Sequence, residues 1–374
     1  MKIKRRIMRL GVGVFILLTM FSLPLGALAY EGCSQEELLR ASGAEEVYRQ
    51  LDQEAKELLE RAGAGEGIAG GGLDLPEAFQ AVSQMLRDKL SAPLKALAAL
   101  LGICVLSRLA GCFDEEGAAG IVQLIGAAVC GVVMAGPVLG IISGCQGVAK
   151  VAAGFLTAAV PVYAGLLAAS GSPITGSGYS LLAMGAGGAI PVVICGFLLP
   201  LVQVYLGLSV ATAVSGAKLN KLAGWVYSLG KWVLTMAVTL FTGILSVQTA
   251  VNSQADAATA KAAKLALSTG VPIVGGALGD ALGAIQNSVH MVKSGVGAFG
   301  VLAAVCIFLP AILECVLWSG VCAAGQAAGE LFDVGKAGGL MNAFAGTVKM
   351  VLGILASLWA VCAVSAAAVV FAGG

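Results

Sequence analysis

The chain has 374 residues, of which 58% are hydrophobic and 11% are charged, and its mean hydropathy is +0.93. Soluble proteins carry about 25% charged residues, so most of this surface must face lipid. The net charge of +1 argues against nucleic acid as the main partner. Ten cysteines without a CxxC pair, and a single histidine, His290, favour buried reduced thiols over a zinc site. We therefore expect neither a cofactor nor a metal ion.

The first 29 residues have the composition of a secretory signal peptide. A basic segment from Lys2 to Arg9 precedes the apolar run from Leu10 to Leu23, and Ala27-Leu28-Ala29 offers a cleavage site after small residues. We predict cleavage after Ala29; the alternative is an uncleaved anchor. In both cases the following residues begin on the extracytoplasmic side.

Residues 30–92 form a predicted acidic extracytoplasmic region that contains 13 of the 21 acidic residues. Apolar residues at helical spacing predict two amphipathic helices, Ser34–Ala62 and Asp74–Leu90, joined by a glycine-rich linker at 63–72. The acidic face of the first helix is either a solvated face or a docking surface for a partner. The second helix lies on the membrane surface or packs under the transmembrane domain.

Residues 93–374 are predicted to form an all-α, polytopic transmembrane domain. About 20 apolar residues cross a bilayer, and six to eight crossings are expected. The fourth candidate span is long enough for one kinked helix or a tight helical hairpin. The candidates are Pro93–Cys112, Ala118–Cys145, Val151–Ala169, Tyr179–Val214, Trp225–Val247, Leu265–Ile285, Val296–Ala324 and Ala343–Ala372.

A glycine- and proline-rich stretch, Ser268–Gly300, interrupts the apolar pattern. Such sequence disfavours a continuous helix, and broken backbone at membrane depth must be covered by protein or line a cavity. We therefore predict an interrupted or re-entrant segment. An earlier Val-Pro pair places Pro161 111 positions before Pro272, and a CGFLLP/CIFLP pair shares this offset. The offset suggests an internal duplication with repeats at about 151–247 and 262–372, a layout typical of transporters.

Ionisable residues at membrane depth are the candidate functional positions. Asp280 and Lys293 lie in the interrupted stretch and are able to pair, Glu314 is the candidate buried acid, and Arg108 lies near the end of the first span. The plainer interpretation is internal ion pairs or side chains that reach the interface. No Walker A, GxSxG or HExxH pattern is present, so we predict that the protein is not an enzyme.

The interrupted stretch resembles the hallmark segment of the stage III sporulation protein AE family. In that family a Pro-Ile-Val-Gly-Gly core precedes a Ser/Gly-Asp-Ala step, a Lys and a Gly-x-x-Gly turn. One departure is Gly279, where Ser is common. The matching positions are Pro272, Ile273, Val274, Gly275, Gly276, Gly279, Asp280, Ala281, Lys293, Gly297 and Gly300.

The resemblance implies a non-enzymatic subunit of a secretion-like channel complex between mother cell and forespore, needed for late forespore development. It implies a multi-pass protein of the mother-cell membrane whose N-terminal region faces the forespore. Implied partners are operon-encoded membrane proteins, ring-forming proteins and a cytoplasmic ATPase. From the residues alone, the alternative is a stand-alone secondary transporter built from two repeats.

Overall fold

A computed structural model describes residues 48–49, 51–60, 75–112, 119–215, 219–270 and 275–371. The backbone in these ranges is helical apart from short turns. The signal peptide, the linker at 63–72 and Pro272 lie outside the described residues. The helices are α1 (Gln53–Leu59), α2 (Leu75–Cys112), α3 (Ala119–Ala169), α4 (Pro173–Val193), α5 (Leu199–Ser215), α6 (Asn220–Gly270), α7 (Gly275–Leu331) and α8 (Gly335–Phe371), and the π-helical turn Ile194–Leu198 joins α4 to α5.

Six segments of the described chain are long and apolar enough to cross a membrane. This all-helical arrangement is consistent with the predicted polytopic membrane protein, and the number of segments lies at the lower end of the predicted range. The segments are Gln80–Ala110, Ile121–Ala169, Pro173–Val214, Asn220–Ala262, Gly295–Leu331 and Gly335–Val370.

Several predicted boundaries between helices are wrong. The amphipathic helix and the first span are one helix, α2, which continues through Pro93. The spans Ala118–Cys145 and Val151–Ala169 are likewise one helix, α3, which contains Pro161. Proline removes one donor from a helix, whereas ending the helix at membrane depth would leave several backbone groups without partners. Continuing the helix is therefore the less costly solution.

The fourth predicted span is one helical segment rather than a hairpin. It is continuous from α4 through the π-helical turn into α5, although it contains Pro191 and Pro200. A π-helical turn accommodates an extra residue without ending the helix.

Residues 275–300 of the interrupted segment predicted at Ser268–Gly300 form a continuous helix. α6 continues to Gly270 and α7 begins at Gly275, so residues 275–300 are helical and include Asp280, Gly297 and Gly300. Residues 271–274 lie outside the described residues, and the parts of the predicted span Leu265–Ile285 on either side of them belong to α6 and α7. Whether the chain arose by internal duplication stays a prediction.

The core of the bundle is the antiparallel pair α7 and α8. At one end of the pair, a Cβ atom on Gly329 would lie 2.8 Å from Cα of Gly338, and at the other end Gly297 lies against Val370. Glycine therefore permits close backbone approach at both ends. α3 packs on both helices, and α4, α5 and α6 complete the bundle.

α1 lies against α7 and α2 rather than standing free. Its predicted apolar face is confirmed, since Leu51, Ala55 and Leu58 are buried. The helix is shorter than predicted: the Asp52 carboxylate caps it by accepting from Glu54 N (2.7 Å) and Ala55 N (3.1 Å). The predicted start of the helix at Ser34 lies outside the described residues.

Candidate functional site

A buried carboxylate from α6 holds the start of α4. Asp256 is only 4% exposed. Its Oδ1 accepts from the backbone N–H of Ile174 (3.0 Å), and its Oδ2 accepts from the N–H (2.9 Å) and the hydroxyl (2.6 Å) of Thr175. The first N–H groups of a helix have no intrahelical partner, and Ser172 at the N-cap makes no side-chain capping bond. Asp256 therefore caps α4 from another helix.

Two amides extend this polar contact along α6. Gln248, Asn252 and Asp256 are spaced four residues apart and lie on one face of the helix. Asn252 Nδ2 donates to the carbonyl oxygen of Ile174 at 3.4 Å. A Cβ atom on Gly178 would lie 2.6 Å from Nε2 of Gln248 and would also collide with the Asn252 amide. Glycine at position 178 thus lets the polar face of α6 reach α4.

A second polar cluster lies one helical turn further along α4, where four helices meet. The hydroxyls of Tyr179 on α4 and Ser365 on α8 share a hydrogen bond of 2.7 Å. The ring of Tyr163 on α3 lies 6.0 Å from that of Tyr179, centroid to centroid. The hydroxyl of Tyr163 lies against Gly300 of α7.

The two glycines at the end of the hallmark motif are packing positions. A Cβ atom on Gly297 would collide with the Val370 side chain, and one on Gly300 would collide with the Tyr163 hydroxyl. Both glycines also approach Ala366. The predicted Gly-x-x-Gly turn is instead a helical face on which α3 and α8 approach α7 closely.

Lys293 lies one turn before Gly297 and is fully buried (0% exposed). Burial lowers the pKa of its ammonium group because the charged form loses hydration. The helix places Asp280 thirteen residues earlier, which is about 20 Å along the axis. This separation is too large for the ion pair that the sequence suggests. The side chain of Asp280 lies outside the described residues, as does Pro272, and Gly275 and Gly276 begin α7.

The other two candidate charges are not buried. Glu314 is half-buried, contrary to the prediction of a buried acid, because its face of α7 is only partly covered. Arg108 is exposed at the opposite end of the bundle, where its guanidinium lies 3.7 Å from the carboxylate of Asp333. Pro161 is exposed within the continuous helix α3.

The buried acid that sequence reasoning missed is Asp256. The predicted span ended at Val247, so the polar residues after it were assigned to a connection. The available signal was the four-residue spacing of Gln248, Asn252 and Asp256, which a single helix places on one face. The sequence around Thr175 does not predict its hydrogen bond to Asp256, because the two residues are 81 positions apart.

The arrangement is suited to joining helices rather than to binding a metal ion. In the described ranges no three His, Cys, Asp or Glu side chains are grouped closely enough to hold a metal ion. The eight cysteines whose side chains the structure describes are free thiols, and all of them are buried except the half-buried Cys195. The polar groups near the start of α4 connect this helix to α6 through Asp256 and to α8 through Ser365.

Comparison with known proteins identifies the family. The family model for stage III sporulation protein AE matches residues 57–373. The chain is 27% identical over 154 residues to "Stage III sporulation protein AE" of Bacillus subtilis (strain 168), a match that covers 41% of this chain and 39% of the relative. No solved structure matches. Because the family model covers most of its length, the chain belongs to the stage III sporulation protein AE family.

Proposed function

We propose that this protein is a non-enzymatic, multi-pass membrane subunit of a channel complex that links mother cell and forespore and is needed for late forespore development. Membership of the family supports a role in sporulation, and the six apolar helical segments support a membrane location. The assignment to a larger complex rests on one further observation, which is the length of the exposed apolar surface along the axis of α6.

Exposed apolar side chains follow α6 over an unusual length. They begin at Leu222 (48% exposed) and end at Val251 (61% exposed), with exposed Trp232, Leu240 and Val247 between them. The two ends are 29 residues apart, which is about 44 Å at 1.5 Å per residue. The hydrocarbon core of a bilayer is only about 30 Å thick.

Lipid alone covers this height only if α6 is tilted by about 45°, whereas transmembrane helices tilt by about 0–40°. The exposed apolar residues of the α4–α5 segment, from Ile174 to Val204, cover a similar length on the neighbouring helices. Large exposed apolar surfaces outside lipid are sites of protein contact. We infer that another subunit of the complex covers part of this face.

The part beyond the bilayer is the end near Val251. We place the interface at the other end at Trp225 and Lys221, since tryptophan and lysine prefer the headgroup level; the exposed Lys231 and Trp232 lie within about two turns of it. At the average tilt of about 20°, Val251 lies about 37 Å above Trp225 and is outside the hydrocarbon core of about 30 Å, whereas Val247 lies at its edge. The neighbouring helix α4, which Gln248 and Asn252 approach, adds to the exposed apolar face, because its Leu181 is 74% exposed. In the proposed orientation α1 is extracytoplasmic, so this end faces the forespore.

The deciding experiment is purification of tagged full-length protein from sporulating cells. Val247→Asn together with Val251→Asn should leave membrane insertion intact but reduce the co-purified subunits of the complex. Leu331→Asn is the control, because Leu331 is 79% exposed at the opposite end of the bundle. Equal recovery of partners with both variants would contradict the proposed interface.

The alternative, a stand-alone transporter, makes a different prediction. A transporter purified alone and placed in lipid vesicles should bind or move a small solute without partners. A subunit of the complex should co-purify with membrane proteins of its operon and show no such activity by itself. Solute uptake by the isolated protein would therefore favour the transporter over the complex.

A further inference from the structure

The hydroxyl of Tyr163 is a buried polar group without a hydrogen-bond partner. The residue is 1% exposed. In the described part of the chain, only this oxygen and Nε1 of Trp359 are buried side-chain polar atoms without a partner. A buried group without a partner carries its full desolvation cost, so its presence in a folded protein needs a reason.

The surroundings of Tyr163 are not uniformly apolar. Two hydroxyls close by, those of Tyr179 and Ser365, are bonded to each other. The Tyr163 hydroxyl points instead to Gly300, at a place where any other residue would bring a Cβ atom into collision with it. The described arrangement thus holds a polar group against a backbone that offers it no bond.

The helix that carries Tyr163 has a weak point two residues earlier. Pro161 lies inside α3 and has no N–H, so the carbonyl of Thr157 lacks its usual donor four residues later. The Thr157 hydroxyl does not compensate, since it donates to the carbonyl oxygen of Ala153 at 2.8 Å. Helix bends concentrate at such positions.

We propose that α3 hinges at Pro161 between two conformations, and that the described one, with Tyr163 against Gly300, is the closed state. In the open state the Tyr163 hydroxyl leaves Gly300 and gains water or the Tyr179–Ser365 pair as a partner. The unpaired hydroxyl raises the free energy of the closed state relative to an open state in which it is paired. The inference rests on the proposed function, because the open state is the one that the assembled complex uses.

Hydrogen–deuterium exchange on purified full-length protein tests the hinge. Tyr163→Phe removes the unpaired hydroxyl from the closed state, so the amides of residues 158–167 should exchange about tenfold more slowly, which corresponds to about 1.4 kcal/mol. Tyr205→Phe is the matched control, because Tyr205 also lies against a glycine, Gly346, but is only half-buried. Exchange in Tyr163→Phe that is unchanged or faster would overturn the proposal.

A second variant tests the hinge without touching the hydroxyl. Pro161→Ala restores the N–H and should also slow exchange in residues 158–167, and unchanged exchange there would overturn the hinge. In sporulating cells, both variants should be present at wild-type levels and yield fewer heat-resistant spores. Slower exchange with a wild-type spore yield would overturn the proposal, since the open state would then have no use. Failure of the wild-type protein to co-purify with partners would refute the proposed complex, but it would leave the predicted slowing of exchange untouched.

Discussion

Asp256 and Thr175 are joined by two hydrogen bonds, although 81 residues separate them in the chain. The carboxylate accepts from the hydroxyl of Thr175 at 2.6 Å and from its backbone N–H at 2.9 Å. This contact replaces the local N-cap that α4 lacks. The start of one apolar helix is therefore stabilised by the far end of another.

Replacing Asp256 should destabilise the bundle. Asp256→Ala leaves three donors, two of them buried, without an acceptor and should lower the free energy of unfolding by about 3 kcal/mol, and Asp256→Asn should cost less because one acceptor remains. Thermal unfolding in detergent measures both effects. Asp333→Asn is the control, since the exposed pair of Asp333 with Arg108 contributes little and asparagine tolerates the positive φ of this position. Equal stability of Asp256→Ala and Asp333→Asn would contradict the capping role.

The contact between Gly300 and Tyr163 predicts a coupled pair of mutations. Gly300→Ala should cost about 1–3 kcal/mol because it overpacks a closed contact. Adding Tyr163→Phe should recover part of this loss, with a coupling of about 1 kcal/mol in a double-mutant cycle. Gly140→Ala, where a Cβ atom would meet nothing within 4 Å, should be neutral or stabilising. Strict additivity of the first two changes would show that the residues do not interact.

Replacing Asp280, the acid of the hallmark segment, should impair sporulation. Asp280→Ala should reduce the number of heat-resistant spores more than Lys349→Ala, because an ionisable residue in an otherwise apolar segment is by default a candidate functional position. Lys349 is exposed and serves as the reference. Equally small effects of the two variants would remove Asp280 from the functional residues.

The contact of α1 with the bundle is also testable. Leu59 is fully buried, so Leu59→Glu should release α1, because a charge is not tolerated in an apolar contact. The released segment should become sensitive to protease and bind fewer partner subunits, while membrane insertion continues. Gln53→Glu changes an exposed residue at the start of the same helix and should have neither effect. Protease resistance of Leu59→Glu would contradict the docking of α1.

The errors of sequence reasoning have a common origin. Pro93 was predicted to begin a new helix and Pro161 to lie in a broken segment, and both lie inside continuous helices. Local propensity assigns proline to a break, but a break in an apolar surrounding costs more than one missing hydrogen bond. The family resemblance implied a turn at Gly297 and Gly300, whereas they lie where α7 meets α8 and α3.

Composition and hydropathy alone determined that this is a helical membrane protein, because a chain with 11% charged residues cannot present a soluble surface. The motif from Pro272 to Gly300 was sufficient to indicate the family. Only the tertiary structure decided which polar residues are buried, since Asp256 and Thr175, or Tyr163 and Gly300, come together through packing between helices. Local sequence carries no record of such contacts, because each partner is chosen by the geometry of the whole bundle.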